Sequence, residues 1–175
     1  MPCPDMTMKP IGIIHTPFRL VSDNIPIQGR LVPGAPGRIE LFSDYAAGCR
    51  DIEGFSYCYL LYYFHTSMKE RMMTKPYLDS EKRGVYSTRS PHRPNHIGLS
   101  LVRIIRVNGG IIDINDADML DETPLLDIKP YIPLFDSMSP GEAVRYGWME
   151  KHGVENIKNR TTKTGSYKEW LQVNE

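Results

Sequence analysis

The chain has 175 residues, with 21 basic and 21 acidic side chains and a pI near 7. That length supports one domain with a real core and is short for two. Balanced charge excludes a global field that recruits nucleic acid or membrane, so any polyanion site must be a local patch. Three cysteines (Cys3, Cys49, Cys58) are too few for a disulfide framework and point to a reducing cytosol. No apolar run reaches membrane-spanning length and the opening residues MPCPDMTMKP lack a hydrophobic signal core, so a soluble cytoplasmic protein is expected.

In chain order, residues 11–15 (Ile-Gly-Ile-Ile-His) read as a strand stopped at Thr16-Pro17. Residues 19–37 hold Pro26, Gly29, Pro33, Gly34, Pro36 and Gly37, the mark of a long loop, and a strand follows over 38–42. Residues 43–54 are predicted to be a short helix capped by Ser43 or Asp44. Residues 55–65, dense in tyrosine and apolar on both faces, read as a fully buried central strand. The charged stretch 69–83 reads as a mobile loop. Strands are predicted over 84–88, 97–107 and 110–115, the last two joined by Asn108-Gly109, a strong hairpin signal. Closely spaced strands with tight turns imply an all-β fold, a small closed or strongly curved barrel with a few short helices. A glycine-rich strand-to-helix turn is missing, so a Rossmann-type nucleotide site is not supported. Ser139-Pro140-Gly141-Glu142 reads as a capping box opening a C-terminal helix that runs to about His152 and stops at Gly153, with Val144 and Trp148 on its docking face. Residues 1–7 then form a disordered lead, 8–137 the barrel and 138–175 a helical tail. In that tail, residues 156–165 with Lys158, Arg160 and Lys163 are either a solvated terminus or an RNA-backbone contact.

Two stretches carry chemistry. In the first, residues 88–98, two prolines prevent an ordinary helix and display Arg89, Ser90, His92, Arg93, Asn95 and His96 from a stiff rim. Guanidinium forks there suit an anionic ligand, although a solvated proline-rich turn has the same composition. In the second, Asp116, Asp118, Asp121 and Glu122 lie on one loop before Pro124. The following strand alternates faces, setting Asp127, Lys129 and Tyr131 on one side and Leu126 with Ile128 on the other, core side. A carboxylate, an ammonium and a phenol in register bind a zwitterion or move a proton, or form a solvated edge pair. No metal is expected. The acidic loop lacks EF-hand glycine and spacing, and Pro94 between His92 and His96 prevents a zinc-binding helical turn. Cys49 and Cys58 read as small buried hydrophobes.

The runs 84–100 (GVYSTRSPHRPNHIGLS) and 121–131 (DETPLLDIKPY), with the opening 11–18 (IGIIHTPF), resemble the signatures of the TrmO-like tRNA methyltransferases. The similarity spans roughly residues 8 to 137. It implies a small β-barrel, a homodimer, that binds S-adenosylmethionine without a Rossmann fold and methylates N6 of a threonylcarbamoyl-modified adenosine in the tRNA anticodon loop. By residue matching it implies cofactor contacts from Gln28, Gly29, Arg30, His65, Thr66, Arg89, Leu99, Asn115, Asp116, Ala117 and Asp118. Ser90, Arg93, Asn95, Asp121 and Thr123 are assigned to the RNA substrate, and the ionisable row Asp127, Lys129 and Tyr131, read from the residues themselves, to catalysis, with the choice of base among the three left open. Four positions depart from the pattern: Gly29-Arg30 stands for Pro-Gly, His96 for proline and Glu122 for glycine. A non-catalytic RNA- or nucleotide-binding barrel needs the arginine rim alone, and a methyltransferase with another substrate keeps the whole cofactor site.

Overall fold

The computed structural model describes residues 5–21, 23, 25–67, 69–153 and 155. Its strands are β1 (Gly12–His15), β2 (Pro36–Leu41), β3 (Tyr57–Tyr63), β4 (Met73–Thr74), β5 (Arg83–Gly84), β6 (Ile97–Asn108), β7 (Ile111–Asn115) and β8 (Thr123–Pro130). Six of them close into a barrel in the order β1-β2-β7-β6-β3-β8, all antiparallel, and β4 with β5 forms a separate two-stranded ladder. The expected all-β barrel is therefore what the chain forms. Period-two alternation drives the closure: Ile14, Ile39, Leu60, Val102, Ile112 and Leu125 all face inward and are fully buried. Closure also removes the exposed edges that an open sheet of this size would present.

The register places the site. β1 ends at His15 beside Arg38, β2 begins at Pro36 beside Asn115, and β3 ends at Tyr63 opposite Ile97. The connections 16–35, 64–96 and 116–122 therefore leave the barrel at one end, its upper rim. Inside that end the Tyr62 ring lies against Gly98, where any Cβ would strike the ring. The glycine is required by that close approach.

Several expected elements differ. Residues Tyr57, Tyr59, Leu61 and Tyr63 of β3 point outward and are half-buried or exposed, while Cys58, Leu60 and Tyr62 point in, so the strand has one core face rather than two. A register shift against β3 leaves Leu126 as an extra residue on β8. The bulge turns Leu125 and Ile128 toward the core and removes Leu126 from it. Residues 43–54 form two 3₁₀ turns, Ser43–Cys49 and Ile52–Gly54, separated at Asp51 with φ 69°. Val85–Ser87 is a 3₁₀ turn, not a strand, because the hydroxyls of Ser87 and Thr88 donate to the nearby carbonyls of Gly84 and Val85 at 2.8 and 2.9 Å. The charged stretch after β3 contains β4 and β5. The predicted C-terminal helix shrinks to a 3₁₀ turn, Gly147–His152, ended at Gly153 with φ 68°. Glu142 does accept from the Ser139 backbone at 3.3 Å, but Gly141 at φ 87° breaks the helix that this contact would open. Cys3 and residues 156–175 lie outside the described residues. Among those described, no helix is long and apolar enough to cross a membrane.

Candidate functional site

At the upper rim a chain of hydrogen bonds climbs out of the core. The Tyr62 hydroxyl and Ser100 Oγ lie 3.1 Å apart, Ser100 Oγ donates to Asp118 Oδ1, and the Gly29 N–H donates to Asp118 Oδ2 at 2.9 Å. Since the Ser100 proton goes to Asp118, Tyr62 is the donor to Ser100. Burial pushes the Asp118 carboxyl up to about 6, against the hydrogen bonds from Ser100 and Gly29 and the positive charge of Arg89. Gly29 has no room for a side chain, because a Cβ would collide with the backbone of Asp116. The glycine thus lets the 28–32 loop lie directly on the acidic loop.

Asp116 is itself buried at φ 70°. Its Oδ1 accepts from the Gly34 N–H at 2.9 Å, while Oδ2 faces Arg30 at 3.6 Å and has no hydrogen-bond partner among the described residues. Arg30 also lies over the Tyr57 ring at 4.5 Å, and Arg103 donates to the Tyr57 hydroxyl at 2.9 Å. The Arg30 guanidinium, with Arg103 behind it, favours the phenolate and holds the Tyr57 hydroxyl below its ordinary range. From the other side of the rim Arg89 Nη1 reaches Gln28 Oε1 at 2.5 Å. Gln28, Gly29, Arg30, Arg89, Asp116 and Asp118 are thereby joined into one polar, charged strip, although Gln28 and Arg89 stand 61 positions apart in sequence and Gly29 and Asp118 stand 89 apart. Ala117 is buried beneath the strip, with its N–H on the Ala35 carbonyl at 3.0 Å. Asn115 ends β7 between Pro36 and Arg103.

Other expected residues fall around this strip. Leu99 is half-exposed on the outer face of β6 opposite Leu61, and His65 and Thr66 form the turn that leaves β3. Asn95 is exposed at φ 63° on the proline loop. Arg93 turns back, donating to the carbonyls of Thr88 at 3.1 Å and Ser90 at 3.5 Å. The buried Ser90 accepts from the His92 N–H at 3.2 Å. Both residues brace the loop that presents Arg89. Thr123 is likewise buried, its hydroxyl closing a turn on the Leu120 carbonyl at 2.7 Å. Asp121 accepts from the Thr16 N–H at 3.1 Å and lies 3.4 Å from His15.

The Asp127-Lys129-Tyr131 row is present on the outer face of β8, with the two charges 3.0 Å apart. Among the described residues Tyr131 alone connects it to the strip, through edge contacts with Tyr57 and Tyr59 at centroid distances of 6.4 and 5.9 Å. Asp127 instead lines a cleft of about 380 Å³ at the lower end, with Tyr45, Cys49 and Phe55. Burial pushes the Cys58 thiol up to about 12, consistent with a core residue. Among the described residues no cluster of His, Cys, Asp and Glu could hold a metal ion. Sequence reasoning missed Tyr57, Ser100 and Arg103. Ser100 carried a signal, a hydroxyl at an inward position between Gly98 and Val102, where a buried polar group needs a partner.

Residues 13–137 match the family described as the tRNA-methyltransferase O N-terminal domain. A Pyrococcus abyssi protein named a probable S-adenosyl-L-methionine-binding protein is 47% identical over 153 residues, which cover 86% of this chain and 81% of that one. A tRNA (adenine(37)-N6)-methyltransferase of Mus musculus is 43% identical over 103 residues, 57% of this chain and 24% of its own. Two crystal structures of TrmO, one from Pseudomonas aeruginosa, each superpose with a TM-score of 0.67 at 34% identity. They cover 79% and 82% of this chain, which spans 63% and 62% of theirs, less than two thirds of either.

Proposed function

The chain belongs to the TrmO family of S-adenosylmethionine-dependent tRNA methyltransferases, and we propose that it methylates N6 of the threonylcarbamoyl-modified adenosine beside the tRNA anticodon. The observation that carries this reading is the strip in which Arg89 is held by Gln28 while Asp118 is held by Gly29 and Ser100. These residues fit the cofactor: Arg89 offers a fork for its carboxylate, and Asp118 and the unsatisfied Asp116 Oδ2 face its positive groups. When bound, S-adenosylmethionine supplies a methyl group on a sulfonium centre. The resemblance assigns His65, Thr66, Leu99, Asn115 and Ala117 to the same cofactor site, Ala117 from its buried position beneath the strip. An in-line displacement draws most of its acceleration from positioning and electrostatics, which a rim braced by backbone hydrogen bonds provides. The N6 proton must leave, and we assign its removal to the ionisable Asp127-Lys129-Tyr131 row on the outer face of β8, whose Tyr131 is the member in contact with Tyr57 and Tyr59 beside the strip. Asn95 and Asp121 are the substrate-facing members of the assigned set. Ser90, Arg93 and Thr123 act by shaping their loops.

A homodimer in the cytoplasm completes this reading. It is supported by the outer face of β3 and β6, where Tyr63 and Leu99 are 38% and 49% exposed beside the strip. Light scattering should give twice the 20.0 kDa chain mass, and a fully active monomer would contradict it. The activity itself is tested by incubating the protein with S-adenosylmethionine and threonylcarbamoylated tRNA, followed by nucleoside mass spectrometry. The expected product is the modified adenosine carrying one added methyl group. Cofactor binding without any methylated nucleoside would remove the substrate assignment and leave the family assignment in place.

A further inference from the structure

Away from the strip, Asp79 forms the centre of a second charged cluster. Its side chain is 3% exposed. Oδ2 accepts from Arg83 Nη2 at 2.7 Å and Nε at 3.1 Å, and Lys151 Nζ lies 3.0 Å from the same oxygen. The Glu81 N–H donates to Oδ1 at 3.3 Å, and His152 Nε2 stands 3.8 Å from Oδ2. Arg83, ahead of other causes, holds the Asp79 carboxyl well below the usual carboxylate range. A carboxylate saturated by the protein's own donors takes no ligand; it fastens what surrounds it.

What it fastens is specific. Lys151 and His152 belong to the 3₁₀ turn Gly147–His152, beyond the residues that match the family. From the same turn Trp148 donates its indole N–H to the Ser87 carbonyl at 2.8 Å, and its ring lies 5.8 Å from the Arg83 guanidinium. The turn therefore holds both ends of the segment 83–87, two residues before Arg89. At its far end the Arg89 loop is pinned to the barrel by the Phe64 N–H on the His96 carbonyl at 2.8 Å. The barrel anchors one end of the loop, and the C-terminal turn anchors the other.

We propose that Asp79, Lys151 and Trp148 form a clasp through which the C-terminal turn positions Arg89 for the cofactor carboxylate. These are positioning residues, and the proposal rests on the cofactor role of Arg89 given above. A clasp that acts through Arg89 must lose its effect when Arg89 is gone.

The test is a double-mutant cycle on the full chain, with S-adenosylmethionine affinity measured by calorimetry and the melting temperature recorded for each variant. Arg89→Ala should weaken binding about tenfold or more. Asp79→Asn and Trp148→Phe, the latter keeping an aromatic ring against Arg83, should each weaken it about threefold or more. Neither should weaken it further in the Arg89→Ala background. If the Asp79 variant does not fold, Trp148→Phe carries the cycle alone. Normal affinity in folded Asp79 and Trp148 variants, or effects that add fully to that of Arg89→Ala, would overturn the clasp while leaving the role of Arg89 intact. Normal affinity in Arg89→Ala would overturn the role of Arg89 and the clasp with it.

Discussion

Inside the barrel the fully buried side chains Ile14, Ile39, Leu60, Val102, Ile112 and Leu125 are all apolar, whereas at its upper rim the polar residues Asp116, Ser90 and Thr123 are buried as well. The core needs no partners, only volume. Each buried rim residue has a hydrogen bond that ties one loop to another or closes its own. The backbone follows the same division. Among the described residues five non-glycines have positive φ: Asn95, His96, Asp116 and Glu122 on the rim and Asp51 at the lower end. Strained backbone gathers where a site is built, because aiming a group there matters more than local comfort. Glu122, at φ 60°, stands where the family pattern has glycine, which adopts that conformation without cost.

The sharpest way to break this comparison is a cavity in the core. Leu60→Ala should destabilise the fold by about 2–5 kcal/mol in denaturant titration. The folded fraction should still bind S-adenosylmethionine with wild-type affinity. Loss of affinity in fully folded protein would mean that core and rim are not separable. The complementary change is Gly29→Ala, whose Cβ meets the Asp116 backbone and must lift the 28–32 loop from Asp118. It should weaken cofactor binding about tenfold or more and also lower stability by about 1–3 kcal/mol, since a buried acceptor loses its donor, and unchanged affinity would detach the 28–32 loop from the site.

The same division explains how much was legible in the sequence. The strands expected over 11–15, 38–42, 97–107 and 110–115 are all barrel strands, and Gly109 turns back where the hairpin signal lay. The bulge at Leu126 was invisible, since it arises from how β8 must bend against β3 to close the barrel. It alone moved Leu126 off the core face. Helices at 43–54 and 139–152 were overcalled from local caps, and Asp51 and Gly141 in left-handed conformations show where local preference yielded. For the site, the loops that meet were identifiable by motif. Apart from Ser100, an inward hydroxyl that needed a partner, their partners were not: Tyr57, Arg103 and the Asp79 cluster join residues through register and tertiary contact, which spacing does not encode.

Within the rim, Asp118 gives a pH test. Its folded value of about 6 lies above the ordinary 3.8, so the folded state holds its proton more tightly than the unfolded state. The stability contribution therefore falls as pH rises from about 4 to 6 and is constant above. Cofactor affinity runs the other way, because the ionised carboxylate is the form that attracts a cation. Binding at pH 5 should be about tenfold weaker than at pH 7, and Asp118→Asn should flatten the profile. A profile of equal slope in that variant would assign the titration to another group.

The smallest effect is expected at the Asp127–Lys129 pair, which tests whether an exposed row on the barrel's outer face belongs with the rim. The two side chains are 45% and 64% exposed, so solvent screens their attraction and Asp127→Asn should change stability by less than about 1 kcal/mol. The amide keeps an oxygen that can accept from the Ile128 N–H, as the carboxylate does at 2.9 Å, so the bulge should survive. Cofactor affinity should also stay unchanged, because none of the contacts of Asp127 reach the strip. Turnover is the discriminating quantity. If the row takes up the N6 proton, the loss of one ionisable group lowers kcat and leaves KM nearly unchanged, whereas a solvated surface pair leaves both untouched. Wild-type kcat in Asp127→Asn, with normal binding of tRNA, would place Asp127 with the barrel's inert exterior and leave Tyr131, the member that touches Tyr57 and Tyr59, as the row's only link to the chemistry.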